Sequence, residues 1–135
     1  MNRILLGRRL WLAIVPALLG LFGLNVLTAA AAEGKVDKAC AAKCRACAET
    51  CEKCSETCDA SGGGCCADCN ACHHLCLACA ASVEQGGPLA ADVCALCEKM
   101  CRQCAASCEK CDKECCKKCA ASCKECAEAC RAARG

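Results

Sequence analysis

The sequence predicts an all-α fold: an antiparallel, up-down-up-down four-helix bundle with a cysteine-lined core. Three observations predict it. Of the 23 intervals between the 24 cysteines, nineteen are 3 or 4 and none is 2; residues three or four apart share a helix face, and residues two apart do not. The cysteines fall into four groups of six. The halves also match at an offset of 50, with Cys44, Cys47, Cys51, Cys54, Cys58, Cys65, Cys66, Cys69 and Cys76 pairing with Cys94, Cys97, Cys101, Cys104, Cys108, Cys115, Cys116, Cys119 and Cys126. That pattern reads as a duplicated helical hairpin, and short connections make sequential helices antiparallel neighbours.

Residues 1–32 stand apart. They hold both aromatics, Trp11 and Phe22, and three basic residues, and no acid precedes Glu33. A basic start (MNRILLGRRL), an apolar run (WLAIVPALLGLFGLNVL) and small residues (TAAAAEG) are the layout of a signal peptide, with cleavage expected after Ala30 or Ala32. The run approaches the roughly 20 residues of a membrane span. Pro16, Gly20, Gly23 and the alanines that follow favour cleavage, leaving no membrane attachment. Arg8-Arg9, followed by Trp11 and Leu12, resembles a twin-arginine signal, although Gly7 and Ala13 depart from the usual pattern. Such a route exports folded protein, which shields packed thiols from an oxidising compartment.

Residues 33–135 form the second region, the cysteine-rich bundle. It carries 14 basic and 15 acidic residues, no aromatic, and eight large aliphatics. Burying a large apolar side chain contributes roughly 1.5–3 kcal/mol, so eight are too few to order a hundred residues as an oily core. Without excess positive charge or a stacking aromatic, nucleic acid is excluded as a partner.

The first helix carries Cys40, Cys44, Cys47, Cys51, Cys54 and Cys58, and Ser61-Gly62-Gly63-Gly64 breaks it. The second carries Cys65, Cys66, Cys69, Cys72, Cys76 and Cys79 and ends at Gln85-Gly86-Gly87-Pro88. Cys94, Cys97, Cys101, Cys104, Cys108 and Cys111 mark the third; Cys115, Cys116, Cys119, Cys123, Cys126 and Cys130 mark the fourth. No glycine separates these last two. A one-residue slip in heptad register between Cys115 and Cys116 places a turn near Asp112-Lys113-Glu114, against a competing continuous helix over 89–132.

Disulfides are one use for so many thiols, giving a stapled structural bundle. A scaffold needs only two to four bridges, however, and each bridge demands narrow geometry. Metal is the other use, and charge selects among metals. Six tetrahedral zinc ions would bring twelve positive charges to twenty-four buried thiolates, a prohibitive imbalance. If a monovalent soft ion takes two thiolates and each thiolate bridges two ions, the charges cancel. Thiolate sites select Cu(I), and a CxxxC or CxxC pair supplies two ligands on one helix face. Multiple Cu(I) ions per chain, with all 24 cysteines as metal ligands, is therefore the expectation.

Two lookalikes are weaker. Cys66, Cys69, Cys72 and Cys76 match a ferredoxin iron–sulfur run, but Leu77 replaces its proline and the heptad series already explains the spacing. Metallothioneins are cysteine-rich too, but their Cys-x-Cys pairs are absent here. His73 and His74 read as solvated histidines, and Met100 as packing beside Cys101 with its thioether in reach. No catalytic Ser/His/Asp set, phosphate loop or paired-carboxylate site is present, so no enzyme is expected.

Three segments, ACAAKCRACAETCEKCSETC, VCALCEKMCRQCAASCEKC and KKCAASCKECAEAC, resemble the four-helix-bundle copper storage proteins of bacteria. The resemblance spans about residues 38–132. It implies Cu(I) held inside each bundle, chiefly by CxxxC pairs, copper donors or acceptors as partners, and a homotetramer. The signal segment is similar to that of exported members, which implies a periplasmic location. Cys66, Cys69, Cys79, Cys111, Cys115 and Cys116 occupy positions where the family pattern is looser. The antiparallel arrangement further predicts a bundle end plugged by Val36, Val83, Leu89, Val93 and Leu96. Cys65, Cys66, Cys111, Cys115 and Cys116 gather at the opposite end, which is the expected entrance for the ion.

Overall fold

The computed structural model describes residues 37–59 and 64–135. The signal-segment expectation for 1–32, the place of Val36 and the turn at 61–63 lie outside the described residues. Four helices follow in order: α1 (Lys38–Asp59), α2 (Cys66–Gln85), α3 (Ala90–Cys108) and α4 (Glu114–Arg134). There is no strand among the described residues. Each helix packs against its two neighbours, α1 with α2 and α4, and α3 with α2 and α4. This is the expected antiparallel bundle.

Local chemistry fixes the helix ends. Asp37 caps α1, its Oδ1 accepting the Cys40 N–H at 2.9 Å. Gly86 ends α2 in the left-handed region (φ 63°), with its N–H on the Val83 carbonyl. Asp68 in the first turn of α2, and Arg131 and Arg134 in the last turn of α4, complement the helix dipoles. The quiet third break is present: α3 stops at Cys108, Lys113 is extended (φ −69°, ψ 147°), and α4 begins at Glu114. The competing continuous helix over 89–132 is therefore excluded.

Two cysteines leave their expected helices. Cys65 sits just before α2, and Cys111 lies in the link after α3, its N–H bonded to the Cys108 carbonyl at 3.0 Å. Helix ends depend on caps and turns, which cysteine spacing does not report.

The core consists of cysteine, alanine and Val83, with no buried polar or charged side chain among the described residues. Ala41, Ala48, Ala80, Ala105, Ala120 and Ala127 are buried, and each directly follows a cysteine. In heptad register these alanines line the α1/α2 and α3/α4 faces, where a small side chain permits close approach. The other two faces carry larger or polar groups. Ser107 donates to Asp68 between α3 and α2, and Lys43 pairs with Glu125 at 2.6 Å between α1 and α4.

The aliphatic plug is smaller than expected. Val83 is buried and Val93 packs against the core, but Leu89 is 66% and Leu96 56% exposed. Leu89 occupies the N-cap of α3, and Leu96 lies two residues after Cys94 and one before Cys97, a spacing that turns it away from the cysteine seam. No helix among the described residues is long and apolar enough to cross a membrane.

Candidate metal centre

The heptad spacing turns cysteine toward the axis once or twice per turn, so four helices build a continuous column of sulfur. All 24 cysteines lie within the described residues and none is in a disulfide; 21 are buried and Cys66, Cys111 and Cys115 are half-buried. At the axis the thiols lie in contact with one another.

The column is built in layers. At one end Cys58 Sγ lies 3.3 Å from Cys65, 3.4 Å from Cys116 and 3.9 Å from Cys115. Below it Cys69 meets Cys108 at 3.5 Å and Cys104 at 3.7 Å, while Cys51 meets Cys119 and Cys123 at 3.6 Å. Midway, Cys72 and Cys76 each lie 3.7 Å from Cys101, and Cys47 lies 3.6 Å from Cys123. Further down, Cys76 meets Cys97 at 3.7 Å and Cys126 meets Cys44 at 3.6 Å. The far end closes with Cys79 on Cys94 at 3.6 Å, and with Cys130 between Cys44 at 3.7 Å and Cys40 at 4.0 Å.

These separations have a chemical meaning. A disulfide requires about 2.05 Å, and the sulfur pairs are far wider. Two thiolates sharing an ion bound at about 2.3 Å, the length of a zinc–sulfur bond, stand at most about 4.6 Å apart. Each contact above falls inside that limit. Four-sulfur clusters repeat along the axis, among them Cys54–Cys58–Cys65–Cys116, Cys51–Cys104–Cys119–Cys123, Cys47–Cys76–Cys101–Cys126 and Cys44–Cys97–Cys126–Cys130, with sulfurs within 4.8 Å of one another. Members such as Cys126 and Cys51 contact more than one cluster, so the sites share ligands.

A family model described as Csp, copper storage protein, matches residues 33–135. The chain belongs to the copper storage protein family. No curated protein and no solved structure matches it. The family's role is copper storage, and the buried sulfur clusters are compatible with metal binding.

Burial raises several thiols near the two ends of the column. Desolvation, reinforced by Cys79, pushes the Cys94 thiol up to about 12, and desolvation pushes Cys58 up to about 11. Burial raises Cys40, Cys54 and Cys116 as well. These thiols are neutral near pH 7, so each captured ion displaces protons.

The weaker candidates stand aside from the column. His73 Nδ1 lies 3.0 Å from the Ala48 carbonyl between α2 and α1, and exposed His74 stacks edge-on against it. Met100 packs against the core as an apolar side chain. Among the looser positions, Cys69, Cys79 and Cys116 are fully buried, while Cys66, Cys111 and Cys115 are not. Spacing assigns a cysteine to a face but does not say which sulfurs meet across the axis. Those pairings depend on the relative height of the helices.

Proposed function

We propose that this copper storage protein holds copper as Cu(I), at close to one ion per cysteine, with all 24 thiolates as ligands. The observation that carries the reading is the core without buried charge among the described residues. The 21 thiolates buried there and the three half-buried ones beside them need compensating charge from the cargo itself, and a soft monovalent ion bridging pairs of sulfurs supplies it ion for ion. The role is storage or sequestration, not catalysis: the axis offers sulfur without an acid, base or substrate pocket. CxxxC steps such as Cys47–Cys51 and Cys72–Cys76, each with sulfurs 3.9 Å apart, are ready two-ligand sites.

Anaerobic titration of reduced residues 33–135 with Cu(I), against a competing chelator, tests this. Binding should saturate near one ion per cysteine; saturation at about six equivalents or fewer would overturn the storage stoichiometry. A thiol count before and after reduction separates it from a disulfide-stapled bundle, which would show few free thiols before reduction.

We further propose that residues 1–32 direct export, through the twin-arginine route, to the bacterial periplasm, and that the mature chain forms a homotetramer. The basic n-region, the apolar run and the alanine-rich cleavage site support the first. Exposed Leu77, Leu89 and Leu96 and the family resemblance support the second. N-terminal sequencing of the exported protein and sedimentation of the mature chain test them.

A further inference from the structure

Each of the three half-buried thiols opens into its own surface cavity at the same end of the bundle, and the three cavities differ in charge. The cavity at Cys66, ≈ 320 Å³, has Glu56 and Asp59 in its wall and no basic side chain. The cavity at Cys111, ≈ 330 Å³, is mixed, with Glu109, Asp112, Lys117 and Lys124. The cavity at Cys115, between α1 and α4, is the roomiest of the three at ≈ 550 Å³ and has Lys53 and Lys118 on opposite walls.

Both lysines in this third cavity are available. The Lys53 side chain makes no ion pair among the described residues. Lys118 reaches Glu114 only at 3.8 Å, on a surface where such a pair contributes little. The single carboxylate of the cavity, Glu125, is already engaged by Lys43 at 2.6 Å. The Thr50 hydroxyl is turned back onto the Ala46 carbonyl.

Sulfur connects this cavity to the column. Cys54 lines it beneath the surface, 3.9 Å from Cys116. Cys115 lies 3.9 Å from both Cys116 and Cys58. Cys54 also belongs to the buried Cys54–Cys58–Cys65–Cys116 cluster at the head of the column.

We propose that the α1/α4 cavity is a docking site for Cu(I) carried by a small, carboxylate-bearing thiol. The carrier's carboxylates sit on Lys53 and Lys118, and Cys115 takes the ion from its sulfur. A volume of this size suits a small-molecule ligand. The step is ligand exchange without redox. The Cu–S bond to one carrier thiolate breaks as the bond to Cys115 Sγ forms. The Cys115 thiol proton passes to the departing carrier sulfur, and copper stays Cu(I). With two carrier thiolates per Cu(I), a second exchange onto Cys116 or Cys54 passes that thiol's proton to the second carrier sulfur, which departs and leaves the ion inside. This inference rests on the storage reading and adds the form in which copper arrives.

The test compares loading rates of the reduced protein from Cu(I) held by glutathione (anionic), 2-mercaptoethanol (neutral) and cysteamine (cationic), at equal free Cu(I) and low salt. The Lys53→Glu/Lys118→Glu variant should load from the glutathione complex about ten-fold more slowly, change little with 2-mercaptoethanol and gain with cysteamine. A Lys38→Glu/Lys99→Glu control, the same charge change on exposed positions outside the cavity, should leave the glutathione rate within about twofold. Equal slowing with all three carriers, or equal slowing in the control, would overturn the docking site. Total capacity is measured alongside. Full wild-type capacity without carrier discrimination sinks the docking proposal alone, whereas low wild-type capacity sinks the storage reading.

Discussion

Cys76 and Cys126 meet across the bundle axis with their sulfurs 3.9 Å apart, although 50 residues separate them in the chain. Cys69 and Cys119 repeat the relationship at 3.8 Å, and Cys72–Cys123 and Cys79–Cys130 follow at 3.9 Å with one residue more between them. The sequence duplication thus becomes a pseudo-twofold axis along the column, with α2 and α4 facing each other diagonally. Adjacent layers share sulfurs across that axis, so an ion held in one layer would be one exchange from the next.

Distributed sites predict graded loss. Changing Cys76 and Cys126 together to serine removes two of 24 thiols. If each ion takes two thiolates and each thiolate bridges two ions, capacity should fall by about two to four ions. Competitive Cu(I) titration measures it. Loss of half the capacity or more would mean that the column fills cooperatively around one central cluster.

Cargo should stabilise the fold strongly. The empty core has cysteine, alanine and one fully buried valine among the described residues, a thin apolar contribution for four helices. A single site held a hundredfold above its dissociation constant adds about 2.7 kcal/mol, which in a domain of this size raises Tm by about 10–20 °C. Many sites should raise it further. Calorimetry of empty and loaded protein under anaerobic conditions reads the difference, and coincident melting would show that the ions do not bridge helices.

What the sequence made legible follows from what periodicity encodes. The i,i+3/i+4 spacing places 21 cysteines inside, and Gly86 marks its helix end by the left-handed conformation it adopts. Adjacent cysteines are different. In Cys65-Cys66 the first is buried, while in Cys115-Cys116 it is the second. Matching at an offset of 50 equates Cys66 with Cys116, yet one residue is about 100° around a helix. The start of α2 after Cys65, and of α4 before Cys115, decides which thiol enters the core. Leu89 and Leu96 eluded the reading for a related reason: proximity to a bundle end in sequence does not fix the direction of a side chain.

Proton linkage gives the two forms opposite pH slopes. Without copper, burial pushes the Cys94 thiol up to about 12 and the Cys58 thiol up to about 11, above the unfolded thiol value near 8.5. Above that value the unfolded chain has lost protons that the folded chain keeps. Their stabilisation is therefore complete below about pH 8.5 and is lost as pH rises toward 11–12. In the loaded protein the ligated thiolates hold no proton, whereas the unfolded chain rebinds protons below about pH 8.5, so stability falls as pH falls. Anaerobic denaturant unfolding from pH 6 to pH 11 distinguishes them; parallel curves would count against thiolate ligation.

A neutral carrier should deliver copper at the thiol-rich end of the bundle. The thiol-rich end has three half-buried sulfurs, Cys66, Cys111 and Cys115, in front of the buried Cys54–Cys58–Cys65–Cys116 cluster. At the opposite end Val83 is buried and Val93 packs over the column, beside Cys94 and Cys40 with 2% exposure each. Changing Cys66, Cys111 and Cys115 to serine should slow loading from a Cu(I)–2-mercaptoethanol complex by about ten-fold, because the first acceptor thiolates are gone. Capacity should stay near that of the 21 remaining thiols. Opening the other end with Val83→Ala and Val93→Ala removes apolar cover without touching sulfur. That variant should lose stability, by about 1–3 kcal/mol for the buried valine, and should load no faster when the thiol-rich end is intact. Stopped-flow loading of both variants separates the two ends. If the valine variant loaded faster and the serine variant kept the wild-type rate, the ion would be entering past Val83 and Val93.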